Sequence, residues 1–372
     1  MELLNATGMQ AGYTLGMKPD GRESILVAIK GTFEIPQNGG QPRLAEVQEK
    51  LVEADVFSGE PGFSAPIYES DYAPVKPHCD VILNGSAYTP GDRPAVRVQV
   101  ALQIGPIAKS FAVIGNRVWQ KGLLGFKASD PQPFVTMPIS YNNAFGGVDN
   151  THENPAKHKA VLANPVGVGF HENLKTEFVE GKPLPNSEEL DREVTKPNGN
   201  YKPMAFGVIG RAWEPRPAYA GSYDQNWIDN HFPFLPPDFN EAYFQAAPLD
   251  QQMPFPKGGE RIILTNLTPV GRTVFTLPRD LSIPVTFYLK NYEEKETTAV
   301  VDTIVIEPEA KRFMLTWRAS LPLRKNIFEI AQAVAGRMPK GWHRARQLGK
   351  AYYASLDEMV QIKRTDLEEE VE

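Results

Sequence analysis

The middle third of this 372-residue chain, roughly Pro131 to Pro256, limits what the molecule can be. It carries 17 of the 33 prolines, only 9 of the 30 glycines, and 17 of the 37 Phe, Tyr and Trp residues. Proline fixes φ and removes a backbone donor, so long helices and central strands are disfavoured there, and the shortage of glycine stiffens the backbone further. A disordered linker would be poor in aromatics. The stretch is therefore expected to be ordered but irregular backbone, packed on something regular.

The flanks supply the regular part. Ser24 to Ile35 alternates, with Ile25, Val27, Ile29, Phe33 and Ile35 against Lys30, Thr32 and Glu34, as a half-buried strand does. Ala95 to Ile104 alternates in the same way, Cys79 to Leu83 reads as a short strand, and Lys109 to Trp119 follows with a hairpin expected at Gly115-Asn116. Arg43 to Phe57 fits either a helical face or extended chain. After the middle third, strand signals resume at Arg261 to Leu267, Thr273 to Leu277, Val285 to Leu289, Thr298 to Ile306 and Arg312 to Trp317. Asn326 is placed to cap a helix with Ile327, Ile330, Ala331 and Val334 on one face, and a second helix is expected from about Trp342 to Lys363, followed by a solvated tail at Glu368 to Glu370. The predicted fold is mainly β: antiparallel sheets, sandwich-like, with a long ordered irregular middle region and C-terminal helices. In domain terms, 1–130 is an N-terminal antiparallel β region, 131–258 an irregular region packed on the sheets, 259–320 a second β region and 321–372 a helical segment. Residues 131–372 could be inseparable from 1–130.

A net charge of −6 argues against a broad phosphate-binding face, so nucleic acid is not an expected partner. No run approaches the roughly 18 apolar residues of a membrane span, and the first 30 residues do not read as a secretory leader, so a cytoplasmic location is expected. The single cysteine, Cys79, excludes an internal disulfide and zinc held by cysteine pairs.

Residue chemistry identifies no recognised active site and leaves several readings open. His152, His158 and His171 miss the spacing that would place two imidazoles on one helix face, and Pro155 interrupts them, so no metal is expected. There is no phosphate loop, dinucleotide fingerprint or nucleophile elbow, and no cofactor is expected. Asp224, Asp238 and Glu241 could serve as acid and base across a sugar, with Trp213, Tyr219, Tyr223 and Trp227 as stacking platforms; equally, both aspartates are good turn residues. The aromatics also suit a protein-binding face, because stiff proline-rich backbone lowers the cost of ordering. The candidate partner-binding residues are Trp213, Tyr223, Trp227, Phe232, Phe234 and Phe239.

Several phrases occur in one order: LVAIKGTFEI (Leu26 to Ile35), YESDYAPVKPHCDVILNGSAYTP (Tyr68 to Pro90), KSFAVIGNRVW (Lys109 to Trp119), MPISYNNAFGG (Met137 to Gly147), NPVGVGF, LPN, GSYDQNW, LPPDF and DTIVIEP (Asp302 to Pro308). In these the chain, from about Asn5 to Trp317, resembles the DUF2169 family. It departs at Asn5-Ala6-Thr7-Gly8-Met9 and at Asn116, where an Asp is more usual. The resemblance implies a non-catalytic adaptor or chaperone of bacterial type VI secretion, which holds an effector, commonly with a PAAR-like part, and helps load it onto the spike. It carries no catalytic residues over to this chain.

Overall fold

A computed structural model describes every residue except 19, 37, 38, 354, 357, 358 and 361–372. The fold is mainly β, and its two principal sheets each draw strands from both the N-terminal and the C-terminal β-rich regions of the chain. In the larger, the spatial order is Glu2–Asn5, Ile330–Ala335, Ile283–Leu289, Glu294–Glu307, Arg312–Pro322, Glu23–Glu34 and Gln10–Met17. Cys79–Leu83 runs parallel to the second half of Glu294–Glu307, with Gln252–Met253 on its other side. The sheet curls until its first and last strands, adjacent in sequence, almost meet; there the Asn5 side chain donates to the Met9 carbonyl at 2.6 Å. The smaller sheet is antiparallel, in the order Ser187–Glu188, Ile107–Ile114, Arg97–Ile104, Arg261–Thr265 and Arg272–Thr276.

The two sheets face one another across a single apolar core. Val98, Val100, Leu102 and Ile104 come from alternate positions of one strand, and Ile25, Val27 and Ile29 from alternate positions of another, as the side-chain period of two requires. Phe275 of the smaller sheet meets Phe313 of the larger at 5.3 Å, and Phe313 stacks on Phe33 at 5.3 Å.

Four local expectations are corrected. Residues from Asn326 onward form a single 3-10 turn, Ile327–Glu329, and then the strand Ile330–Ala335 instead of a helix. That strand is hydrogen-bonded on both sides, to Glu2–Asn5 and to Ile283–Leu289, which outweighs its helix-like spacing. Trp119 does not fold back along Ile114; it starts a separate hairpin, Trp119–Gly122 with Gly125–Ala128, and its ring is buried beneath the irregular layer. The polar side of Glu23–Glu34 does not face water, because residues 48–77 cover it. The C-terminal helix ends early, spanning Lys340–Gln347 and followed by non-helical chain over 348–353; the end of the expected helix lies partly, and the Glu368 to Glu370 tail wholly, outside the described residues. Arg43 to Phe57 is extended at its ends, Arg43–Leu44 and Val56–Phe57.

The middle third is an ordered layer over the sheets, held by side-chain-to-backbone hydrogen bonds. Asn164 is fully buried and donates to the carbonyls of Tyr141 and Phe145 at 2.8 and 3.0 Å. Asn142 accepts from the Ala65 amide at 2.8 Å, and Asn186 donates to the Ile114 carbonyl at 3.1 Å and to the side-chain oxygen of Asn116 at 3.0 Å. An aspartate at 116 would offer the same acceptor. Such bonds replace the ladders that a proline-rich backbone cannot form.

Candidate functional site

The outer face of the larger sheet carries a buried charge network of three cations and three carboxylates. Asp71 accepts from Lys30 at 2.9 Å, the Val52 amide at 2.8 Å and the Thr316 hydroxyl at 3.0 Å. Lys76 donates to Asp80 at 2.7 Å and to the Thr303 hydroxyl at 3.1 Å; Asp80 also accepts from Gln245 and the Ala246 amide. Arg318 pairs with Asp302, whose carboxyl burial pushes up although Arg318 and Lys76 pull it down. Each charge faces an opposite one, as buried charges must, and the network ties the 48–77 segment and the layer to the sheet. Its valences are spent on the fold.

Among the described residues, no group of three or more His, Cys, Asp or Glu is placed to hold a metal ion. His158 contacts the His152 carbonyl at 2.9 Å, and the Asn154 amide donates to His152 Nδ1 at 3.0 Å. Cys79 is buried on its strand, and burial pushes its thiol up, away from the nucleophilic thiolate. No described helix is long and apolar enough to cross a membrane.

The sequence-selected aromatics divide into two groups. Trp213 is buried, edge-on to Tyr141 at 5.6 Å and lying over Gly210, so its ring serves the fold. The other five belong to one outlying module, residues 219–244. Tyr223, Phe232 and Phe234 are 53%, 65% and 44% exposed, joined by Ile228 at 54%, which the sequence reading passed over. Trp227, half-buried, sits between Tyr223 at 4.8 Å and Phe232 at 5.5 Å. Phe239 is also half-buried, with Tyr243 and Phe244 at 6.0 and 5.6 Å.

Polar clamps hold the module. Asp224 caps the short helix Gln225–Asn230 by accepting from the Trp227 amide at 2.9 Å. The Trp227 indole donates to the Phe234 carbonyl at 2.9 Å, fixing the return of the chain after the helix. Asp238 accepts from the Ser222 amide and hydroxyl at 3.0 and 2.7 Å, which joins the GSYDQNW and LPPDF phrases, and those bonds hold its carboxyl below the usual range. Glu241 is exposed, in the first turn of Glu241–Phe244. At the inner edge the buried Arg216 donates to the Tyr243 carbonyl at 3.0 Å, the Ile209 carbonyl at 2.9 Å and Glu69 at 2.5 Å. Its only sequence signal is a cation held between Pro215 and Pro217. Phe234 leans on Gly21, where a Cβ would stand 2.7 Å from the ring.

Fold and surface together define a β sandwich carrying a clamped, irregular aromatic layer. The chain belongs to the DUF2169 family, described as an uncharacterized protein conserved in bacteria, and residues 20–318 match it. Comparisons with curated proteins and with solved structures gave no match.

Proposed function

We propose that the chain is a non-catalytic adaptor that binds a type VI secretion effector, through or near a PAAR-like segment, and assists its loading onto the spike from the cytoplasm. The observation that carries this reading is the exposed apolar group Tyr223, Ile228, Phe232 and Phe234, held on a module whose backbone is already clamped. Exposed rings on pre-ordered backbone release apolar area from water on docking and spend little entropy in doing so. The resemblance to secretion adaptors supplies the kind of partner.

Co-purification with the effector encoded beside this gene, followed by titration, tests the reading. Phe232→Ala with Phe234→Ala should weaken binding by about 2 kcal/mol or more while leaving the melting curve nearly unchanged, because both rings are exposed. Unchanged affinity in that folded variant removes the aromatic module from the interface. The glycan-active alternative has no observation in its favour, since Asp224 and Asp238 each hold backbone amides. Turnover of a cell-wall glycan that disappears in Asp224→Asn, which keeps the cap, would establish it over the adaptor reading.

A further inference from the structure

Between Glu329 and Asp357 the sequence contains no carboxylate, yet it holds Arg337, Lys340, Arg344, Arg346 and Lys350. The helix Lys340–Gln347 lies at the centre of this run. Its inner face is fixed: Trp342 is buried against Tyr288 and Val334, and Arg346 stacks over the Tyr288 ring at 3.8 Å while donating to Gln332 at 2.8 Å. The outer face is cationic. Lys340 and Arg344 on that face, with Arg337 before the helix and Lys350 after it, are all exposed, and among the described residues none makes an ion pair or a side-chain hydrogen bond. Among the described residues, carboxylates elsewhere do find cations, as at Arg97–Glu193, Arg211–Asp55 and Arg324–Glu293.

We infer that this helix is a docking face for a short acidic polypeptide segment, separate from the aromatic module. Charge complementarity selects the occupant. Taking the four free cations from the overall −6 leaves −10 on the rest of the chain, so a long polyanion or an anionic membrane would meet repulsion beyond the patch. A short acidic segment meets only the patch. The cations extend over roughly 15–20 Å, which an extended peptide of about six residues spans. The helix is braced before any partner arrives, so along it binding orders little beyond the side-chain tips of Lys340 and Arg344.

The test uses the full chain and three probes: a labelled hexaglutamate peptide, a short DNA duplex, and vesicles containing phosphatidylserine. The peptide should bind in about 50 mM salt and weaken about tenfold or more by about 300 mM, as a screened, charge-driven contact does. Lys340→Glu with Arg344→Glu and Lys350→Glu should abolish peptide binding, whereas charge reversal at the remote exposed Lys157 and Lys257 should leave it intact. The inference is overturned if the peptide fails to bind at low salt, if the two variants behave alike, or if DNA or vesicles bind more tightly than the peptide. Phe232→Ala with Phe234→Ala should not alter this binding, so failure here and failure of the adaptor interface are read separately.

Discussion

Lys109 lies in the strand Ile107–Ile114 at the parity of the core residues Ile107, Phe111 and Val113, and burial decides its chemistry. Its ammonium donates to Gln251 at 2.7 Å and to Asp250 at 3.1 Å, yet desolvation outweighs Asp250 and holds its pKa down at about 8. Asp250 is partly exposed and shared with Lys202; burial pushes its carboxyl up, but the two cations pull it further down, so the pair's cost falls on the lysine. An unfolded chain would return Lys109 to about 10.5, so between about 8 and about 10.5 the unfolded state binds more protons and stability rises with pH. Chemical denaturation from pH 7.5 to pH 10 should show a rise of up to about 3 kcal/mol from this group, flattened in Lys109→Met. An unchanged slope in the variant would assign the effect elsewhere. Above that window the buried Tyr141 acts in the opposite sense, because burial pushes its hydroxyl up and folding then favours the protonated form. The alternation that sets Lys30 opposite Ile25, Val27 and Ile29 was visible in sequence; the burial of Lys30, Lys109 and Asp302 was not, because it depends on segments far along the chain.

Elements show the same division. Glu294–Glu307 keeps Ala299 and Val301 in the core and then Ile304 and Ile306, a change of parity that a regular strand cannot make. A register shift between Val301 and Thr303 absorbs it and turns Asp302 toward Arg318, so this bulge was written in the sequence as the parity change itself. Ile330–Ala335 was not recognisable in that way, since a strand paired on both sides and packed on both faces loses its alternation. In the irregular layer the SYNNAFGG and NPVGVGF phrases cross closely, and a Cβ on Gly146 would stand 2.1 Å from the Asn164 carbonyl oxygen. Gly146→Ala should therefore cost about 2 kcal/mol or more and make the layer susceptible to proteolysis at native temperature, while Gly59→Ala, whose Cβ would meet only Ser64 at 3.4 Å, should show no comparable sensitivity. Equal protection of the two variants would mean that this crossing does not hold the layer down.

At the scale of the molecule, the two β-rich regions of the sequence supply strands to the same sheets. Glu23–Glu34 pairs with Arg312–Pro322 over eleven positions, and Arg97–Ile104 pairs with Arg261–Thr265. Heat or denaturant should unfold the described body in one transition, with far- and near-ultraviolet circular dichroism coinciding; two resolved transitions would show that the halves are thermodynamically separate. The sequence by itself determined the β class, most strand positions, the ordered character of the middle third and the family, because these rest on local periodicity, backbone stiffness and the order of short phrases. Only the tertiary structure decided that Trp213 is buried, that Tyr223, Phe232 and Phe234 stand exposed on one clamped module, and that Arg337, Lys340, Arg344 and Lys350 have no ion pair among the described residues. Exposure and ion pairing depend on what other parts of the chain cover, and the middle third, first legible as stiff and aromatic, acquires its buried and exposed faces only when the sheets beneath it are assembled.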